Sequence, residues 1–215
     1  MLVIKHKETG ETIFETAADS LSGETLDGVK WPGANLAGMK LAGLQWTRAD
    51  LRGADFTGAD LHGTDFQGAI LSDAVFAGAN LTKANLTDVV AAHTSFQNAL
   101  LPNANLRYGK FTNSDFTAAD LSGSDLSMAD LRCNLANAKL HKADLRGADL
   151  TDAILTGADL HGANLYEAKL GGAKLAGANL TEAIAPHGKP FVGTGGGGKP
   201  AVKPTKSKPW WQFWG

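Results

Sequence analysis

A single cysteine in 215 residues excludes an internal disulfide. No apolar run approaches the ~20 residues of a membrane-spanning helix. The opening Met1-Leu2-Val3-Ile4-Lys5-His6-Lys7-Glu8 has no apolar stretch of signal-peptide length, so a reducing cytoplasm is the expected location. Catalytic signatures are missing too: no nucleophile elbow, no HExxH, no CxxC and no P-loop. Gly195 to Gly198 followed by Lys199 lacks the strand and helix that a phosphate loop requires, and reads as linker. No catalytic, cofactor-binding or metal-ligating residue is therefore assigned, and an enzyme is not expected.

What the chain has is a period of five. Between Asp19 and Ala183 nearly every fifth residue is Leu or Phe, as in Ala49-Asp50-Leu51-Arg52-Gly53 and Ala158-Asp159-Leu160-His161-Gly162. Taking that residue as the centre of each unit, the centres run from Leu21 to Leu131 and from Leu135 to Leu180, with Trp31, Trp46 and Ala91 as the exceptions. Two before the centre stands a small residue, most often Ala. One large and one small side chain per unit thus point inward, and the polar remainder faces water. A five-residue period matches neither a 3.6-residue helix nor a two-residue strand alternation. Short extended sides joined by tight corners do fit. Glycine, abundant at 26 residues, then belongs at the corners, where a missing Cβ permits positive φ.

These A(D/N)LxG units resemble the pentapeptide-repeat family over about three-quarters of the chain. The resemblance implies an all-β solenoid: a right-handed, four-sided parallel β-helix with one unit per side and four per coil. Positions 20 apart should then stack, and Phe56, Phe76, Phe96 and Phe116 fall in one such register, while Leu41, Leu61, Leu81, Leu101 and Leu121 fall in another. At about 4.8 Å per coil, roughly eight coils make a rod on the order of 40 Å long.

Three segments follow. Residues 1–18 read as a hairpin cap, with β-rich runs Leu2 to Lys7 and Thr12 to Thr16 around a turn at Glu8-Thr9-Gly10-Glu11. Val29, Met39 and Leu44 stand where Ala stands later and are expected to fill space beneath it. Residues 19–185 form the repeats. Residues 186–215 are a flexible Gly/Lys/Pro linker with an aromatic end, although Ile184, Phe191 and Val192 could fold over the last coil.

Two irregularities interrupt the repeats. Leu131-Arg132-Cys133-Asn134-Leu135 is short by one residue, so one corner must absorb the deletion, with Cys133 in the small inward site as a packing residue. Around Asp88-Val89-Val90-Ala91 the large centre is lost. Ile70, Val75, Val90 and Leu100 occupy the outward position usually held by Asp or Asn, which makes them candidate partner-binding residues. The competing reading is a register change that turns Val89 or Val90 inward to compensate for Ala91. His141 and His161, 20 apart, read as surface histidines because no third ligand is evident.

The near-neutral total, with 20 Lys and Arg against 22 Asp and Glu, hides a division. The rod is acidic, whereas the last 30 residues carry Lys and no acid. Lys203, Lys206 and Lys208 beside Trp210, Trp211, Phe213 and Trp214 have the composition of an interfacial anchor for an anionic membrane surface, or of a linear motif for a protein pocket. The leading functional expectation is a non-enzymatic interaction scaffold for a protein partner, with peripheral membrane attachment through this tail. Sequence-specific nucleic-acid binding is not expected, and a homo-oligomer through the coil ends stays open. The resemblance implies an alternative, because some similar proteins mimic duplex DNA and bind bacterial topoisomerase (gyrase), conferring quinolone tolerance. This chain departs from them: Arg107, Lys110, Arg132, Lys139, Lys142, Arg146, Lys169 and Lys174 break up the acidic field.

Overall fold

The computed structural model describes residues 1–22 and 24–191. From Lys30 to Ile184, the residue before each centre pairs in parallel with its equivalent one coil on: Lys30 with Asp50, Asp50 with Ile70, Ile70 with Val90. Four such ladders, starting at Lys30, Asn35, Lys40 and Gln45, form the four sides of a column. We call them the Asp50, Asp55, Asp60 and Asp65 sides. Consecutive sides meet at corners, so the Asp50 and Asp60 sides lie opposite each other.

Each unit accounts for its backbone donors. Around Leu51, Asp50 donates back to the Val29 carbonyl, Leu51 and Gly53 donate forward to Ile70 and Ser72, and Ala54 closes the corner onto Leu51 at 3.0 Å. The fifth N–H, that of the residue just after the centre, has no main-chain partner in this scheme. A side chain supplies it: the Thr57 N–H donates to the Asp55 carboxylate at 2.9 Å, Gln67 to Asp65 at 2.8 Å and Thr117 to Asp115 at 2.9 Å. Asp or Asn recurs before the centre because a short acceptor there caps the corner. The next residue takes positive φ, which suits Gly53 and Gly58 but is also imposed on Asp73, Ala118 and Met128.

Inside, Phe56, Phe76, Phe96 and Phe116 stack nearly parallel with ring centroids 4.7, 5.0 and 4.5 Å apart, as the 20-residue register requires. Phe66 and Phe111 meet that column edge-on. Where Thr64, Thr94 or Ser124 replaces the small Ala, its hydroxyl donates to a main-chain carbonyl and so is not stranded. Trp46 is fully buried and its Nε1 has no hydrogen-bond partner.

There is no register change at Ala91. Ile70, Val90 and Lys110 pair in an unbroken ladder, with Val89 buried and Val90 exposed. Val89 is the larger residue at the small site and lies beside Ala91, the smaller residue at the large site, so the two exchange volume within one unit.

At the N-terminal end, β1 (Leu2–Lys5) and β2 (Thr12–Thr16) form an antiparallel hairpin with an irregularity between Ile4 and Lys5. The first run is shorter than the sequence suggests. Past Lys5 the chain turns its edge to the first coil: His6 pairs with Ala34, Asn35 donates to the Lys5 carbonyl, and Lys7 donates to Gly33, each of these hydrogen bonds being 2.8 Å. Phe14 packs on Trp31 at 4.9 Å, and Val29, Met39 and Leu44 lie partly buried against the core. The hairpin thereby pairs one side of the first coil, through Asn35, and covers its apolar end.

The coil containing Cys133 has 19 residues. Its pairs are Asp115 with Asn134, Asp120 with Lys139, Asp125 with Asp144 and Asp130 with Asp149, after which Asn134 pairs with Ile154 and the 20-residue spacing returns. The shortened corner closes with Cys133 donating to Leu131 at 2.7 Å, one residue tighter than elsewhere. The Cys133 thiol is buried, and burial pushes its pKa up, so it is a packing group.

Main-chain pairing continues beyond residue 185. Pro190 pairs antiparallel with Ile184, Phe191 donates to Ala183 at 3.0 Å, and Phe191 packs against the core. Leu175 and Leu180, in the last coil, remain partly buried.

Candidate interaction surface

The four outward apolar residues singled out in the sequence do not form one patch. Ile70 and Val90 stack directly on the Asp50 side, and both are exposed. Val75 lies around the next corner on the Asp55 side, between Asp55 and Ser95, and is half-buried. Leu100 projects from the opposite, Asp60 side, between Asn80 and Asp120. Its presence has a local cause: the residue whose N–H it would cap is Pro102, which has none. Trp210, Trp211, Phe213, Trp214, Lys203, Lys206 and Lys208 lie outside the described residues, as does Val192.

The structure adds three residues to Ile70 and Val90. Tyr108, Met128 and Tyr166 are 46%, 56% and 44% exposed. All three sit on the corner between the Asp65 and Asp50 sides. Main-chain bonds fix the stacking there: Tyr108 donates to Ser127, Met128 to Arg146, and Gly147 to Tyr166. The Met128 sulfur lies over Gly147, in space that a Cβ would occupy. Lys110, two residues past Tyr108, pairs with Val90, so this corner adjoins the Ile70–Val90 pair. Apart from Met1 and Leu100, every large exposed apolar residue among those described lies along this edge.

Charge on this corner and on the next, between the Asp50 and Asp55 sides, is arranged in pairs. Arg52, Arg132 and Arg146 each fold back onto the aspartate two residues earlier, at 2.7, 2.6 and 2.6 Å. These hydrogen bonds from the guanidinium hold the carboxyls of Asp50, Asp130 and Asp144 below the usual carboxylate range against the opposing effect of partial burial. Arg107 differs because Asn105, not Asp, precedes its centre. Its Nε is 3.7 Å from Asp125 in the next coil, its guanidinium carbon stands 5.2 Å from the centroid of the Tyr108 ring, and its Nη2 donates to the tyrosine hydroxyl at 3.2 Å. Between Arg107 and Tyr166 lies an open cleft of about 290 Å³, walled by Met128, Arg146 and Glu167.

The other candidate chemistry is sparse. His141 and His161 stack with centroids 4.9 Å apart, and His161 Nε2 lies 3.6 Å from Glu182. Among the described residues no three His, Cys, Asp or Glu side chains converge as metal ligands. The missing residue at the Cys133 corner leaves a second open cleft of about 530 Å³, lined by Thr112, Asp115, Arg132 and Thr151 among others.

Four parallel ladders, one five-residue unit per side and an inward Leu or Phe at each centre define a repeat solenoid. This chain belongs to the pentapeptide repeat family, whose model matches residues 33–68, 69–107, 99–132, 133–172 and 163–185 in eight copies, and its column is the right-handed quadrilateral β-helix. Among similar solved structures is HetL, a pentapeptide repeat protein involved in heterocyst differentiation regulation from the cyanobacterium Nostoc sp. strain PCC 7120. It is 32% identical, with 77% of this chain and 86% of that one covered and a TM-score of 0.43. A trypsin-treated form of QnrB1, a plasmid-mediated fluoroquinolone resistance protein, is 21% identical over 70% of this chain and 88% of that one, with a TM-score of 0.44. A pentapeptide repeat protein of the Arabidopsis thaliana thylakoid lumen is 27% identical over 59% and 68%, with a TM-score of 0.22. No curated protein matches the chain.

Proposed function

We propose that the protein is a non-enzymatic scaffold, a rigid rod that binds a protein partner along the edge carrying Ile70 and Val90. The observation that carries this reading is the stacking of these two exposed residues at positions where the corner calls for a capping Asp or Asn. Each leaves its corner without that cap, at Ser72 and Ala92, and gains an apolar surface in return. The basic and aromatic residues from Lys203 to Trp214 then serve attachment to an anionic membrane surface or to a partner. Topoisomerase binding by duplex mimicry is less favoured, because Lys30, Lys110 and Lys169 are interspersed with Asp50, Asp130 and Asp149 along the Asp50 side.

The test is partner capture from lysate by the native chain and by an Ile70→Asp/Val90→Asp variant, with circular dichroism to establish that both are folded. Selective loss of captured protein from the variant is expected. Equal capture by the two folded chains would remove this edge as the binding surface.

A further inference from the structure

We infer that the corner formed by Tyr108, Met128 and Tyr166 recognises a protein segment in which a carboxylate lies close to an apolar side chain, with Arg107 taking the carboxylate and the cleft taking the apolar group. This rests on reading the rod as a protein-binding scaffold, and specifies the partner's chemistry.

The exposed side chains are the first ground. Tyr, Met and Arg are the types enriched where protein interfaces concentrate their binding energy. Here they share one corner, Tyr108 and Met128 two residues after their centres and Arg107 and Tyr166 one after, on a backbone whose main-chain bonds hold them without further ordering. The second ground is a difference between Arg107 and the other arginines that follow a centre, Arg146 on the same corner and Arg52 and Arg132 on the next. Arg52, Arg132 and Arg146 donate to their own aspartates through both Nε and Nη2. Arg107 makes no such bond, since Asn105 caps the Arg107 main-chain N–H at 3.2 Å and carries no charge to hold the guanidinium. Its contact with Asp125 at 3.7 Å is longer than a hydrogen bond. The half-exposed guanidinium, with one hydrogen bond to the Tyr108 hydroxyl and the Asp125 and Asp144 carboxylates nearby but not bidentate, keeps donors that suit a partner carboxylate. Glu167 walls the far end of the cleft and repels a second acid there, which orients the segment: carboxylate at the Arg107 end, apolar group between Met128 and Tyr166.

The test is selection of a displayed random peptide library on the full chain, followed by binding of selected synthetic peptides to variants. Peptides combining Asp or Glu with Phe, Leu or Trp are expected. Their affinity should fall by about tenfold or more for Arg107→Ala and for Met128→Ser, and be unchanged for Leu100→Ser on the opposite side. Replacing the peptide acid by its amide should weaken binding to the native chain and make no difference to Arg107→Ala. Selected peptides indifferent to Arg107, or a selection returning peptides without acids, would overturn the inference. Loss of binding on Ile70→Asp/Val90→Asp, with the Arg107 and Met128 variants unaffected, would overturn it too while leaving the scaffold reading intact.

Discussion

Leu100 and Pro102 belong together: the leucine stands where other units place a capping Asp or Asn, and the proline two residues later has no N–H to be capped. In the Asp55 unit, by contrast, the carboxylate accepts from the Thr57 N–H at 2.9 Å. Asp55→Leu is therefore expected to cost about 1 kcal/mol, while Leu100→Asp stays within about 0.5 kcal/mol of the native chain. In a Pro102→Ala background the same Leu100→Asp change becomes stabilising, by up to about 1 kcal/mol. Denaturant titration of the four chains measures the coupling.

Val89 and Ala91 form a compensating pair. Val89→Ala alone opens a void and is expected to cost about 2 kcal/mol. Ala91→Leu alone overpacks the coil at a cost of roughly 1–3 kcal/mol. The double change restores the small-then-large order of neighbouring units, and should cost well under the sum of the two. A double-mutant cycle that adds up instead would show that the two residues do not share volume.

Acid should loosen the rod in a definite window. Asp50, Asp130 and Asp144 titrate below the ordinary value when folded, so near pH 4 and lower the unfolded chain binds more protons. Their contribution is complete at neutral pH and is lost as pH falls through the folded values. Asp144→Asn is expected to flatten the acid limb of the melting temperature while shifting the neutral value little, since an exposed pair contributes at most about 1 kcal/mol.

Much of the fold could be read from the residues because the period constrains three positions of every five. The inward centre, the small inward residue and the corner-capping Asp or Asn each answer a geometric demand, and Phe56 to Phe116 announce the coil length by their spacing. The surface was less legible. Tyr108 and Met128 sit two residues after their centres and Tyr166 one after, so no single interval links the three, and their exposed side chains take no part in the core. Leu100 carried its explanation two residues downstream, in a proline whose missing hydrogen matters only once the corner's bonding is known.

The 19-residue coil also bears on how such a rod can lengthen and change. Losing one residue at a corner leaves every later unit on its own side: Asn134, Lys139, Asp144 and Asp149 still continue the ladders of Asp115, Asp120, Asp125 and Asp130. Losing a whole unit of five would be harmless to the core yet turn everything beyond it by a quarter revolution, carrying Met128 and Tyr166 away from Tyr108. In this chain the small error is a blemish and the tidy one erases the message. A lineage that relies on this edge should therefore accumulate single-residue gaps at corners, gain or lose whole coils, and shun changes of one, two or three sides.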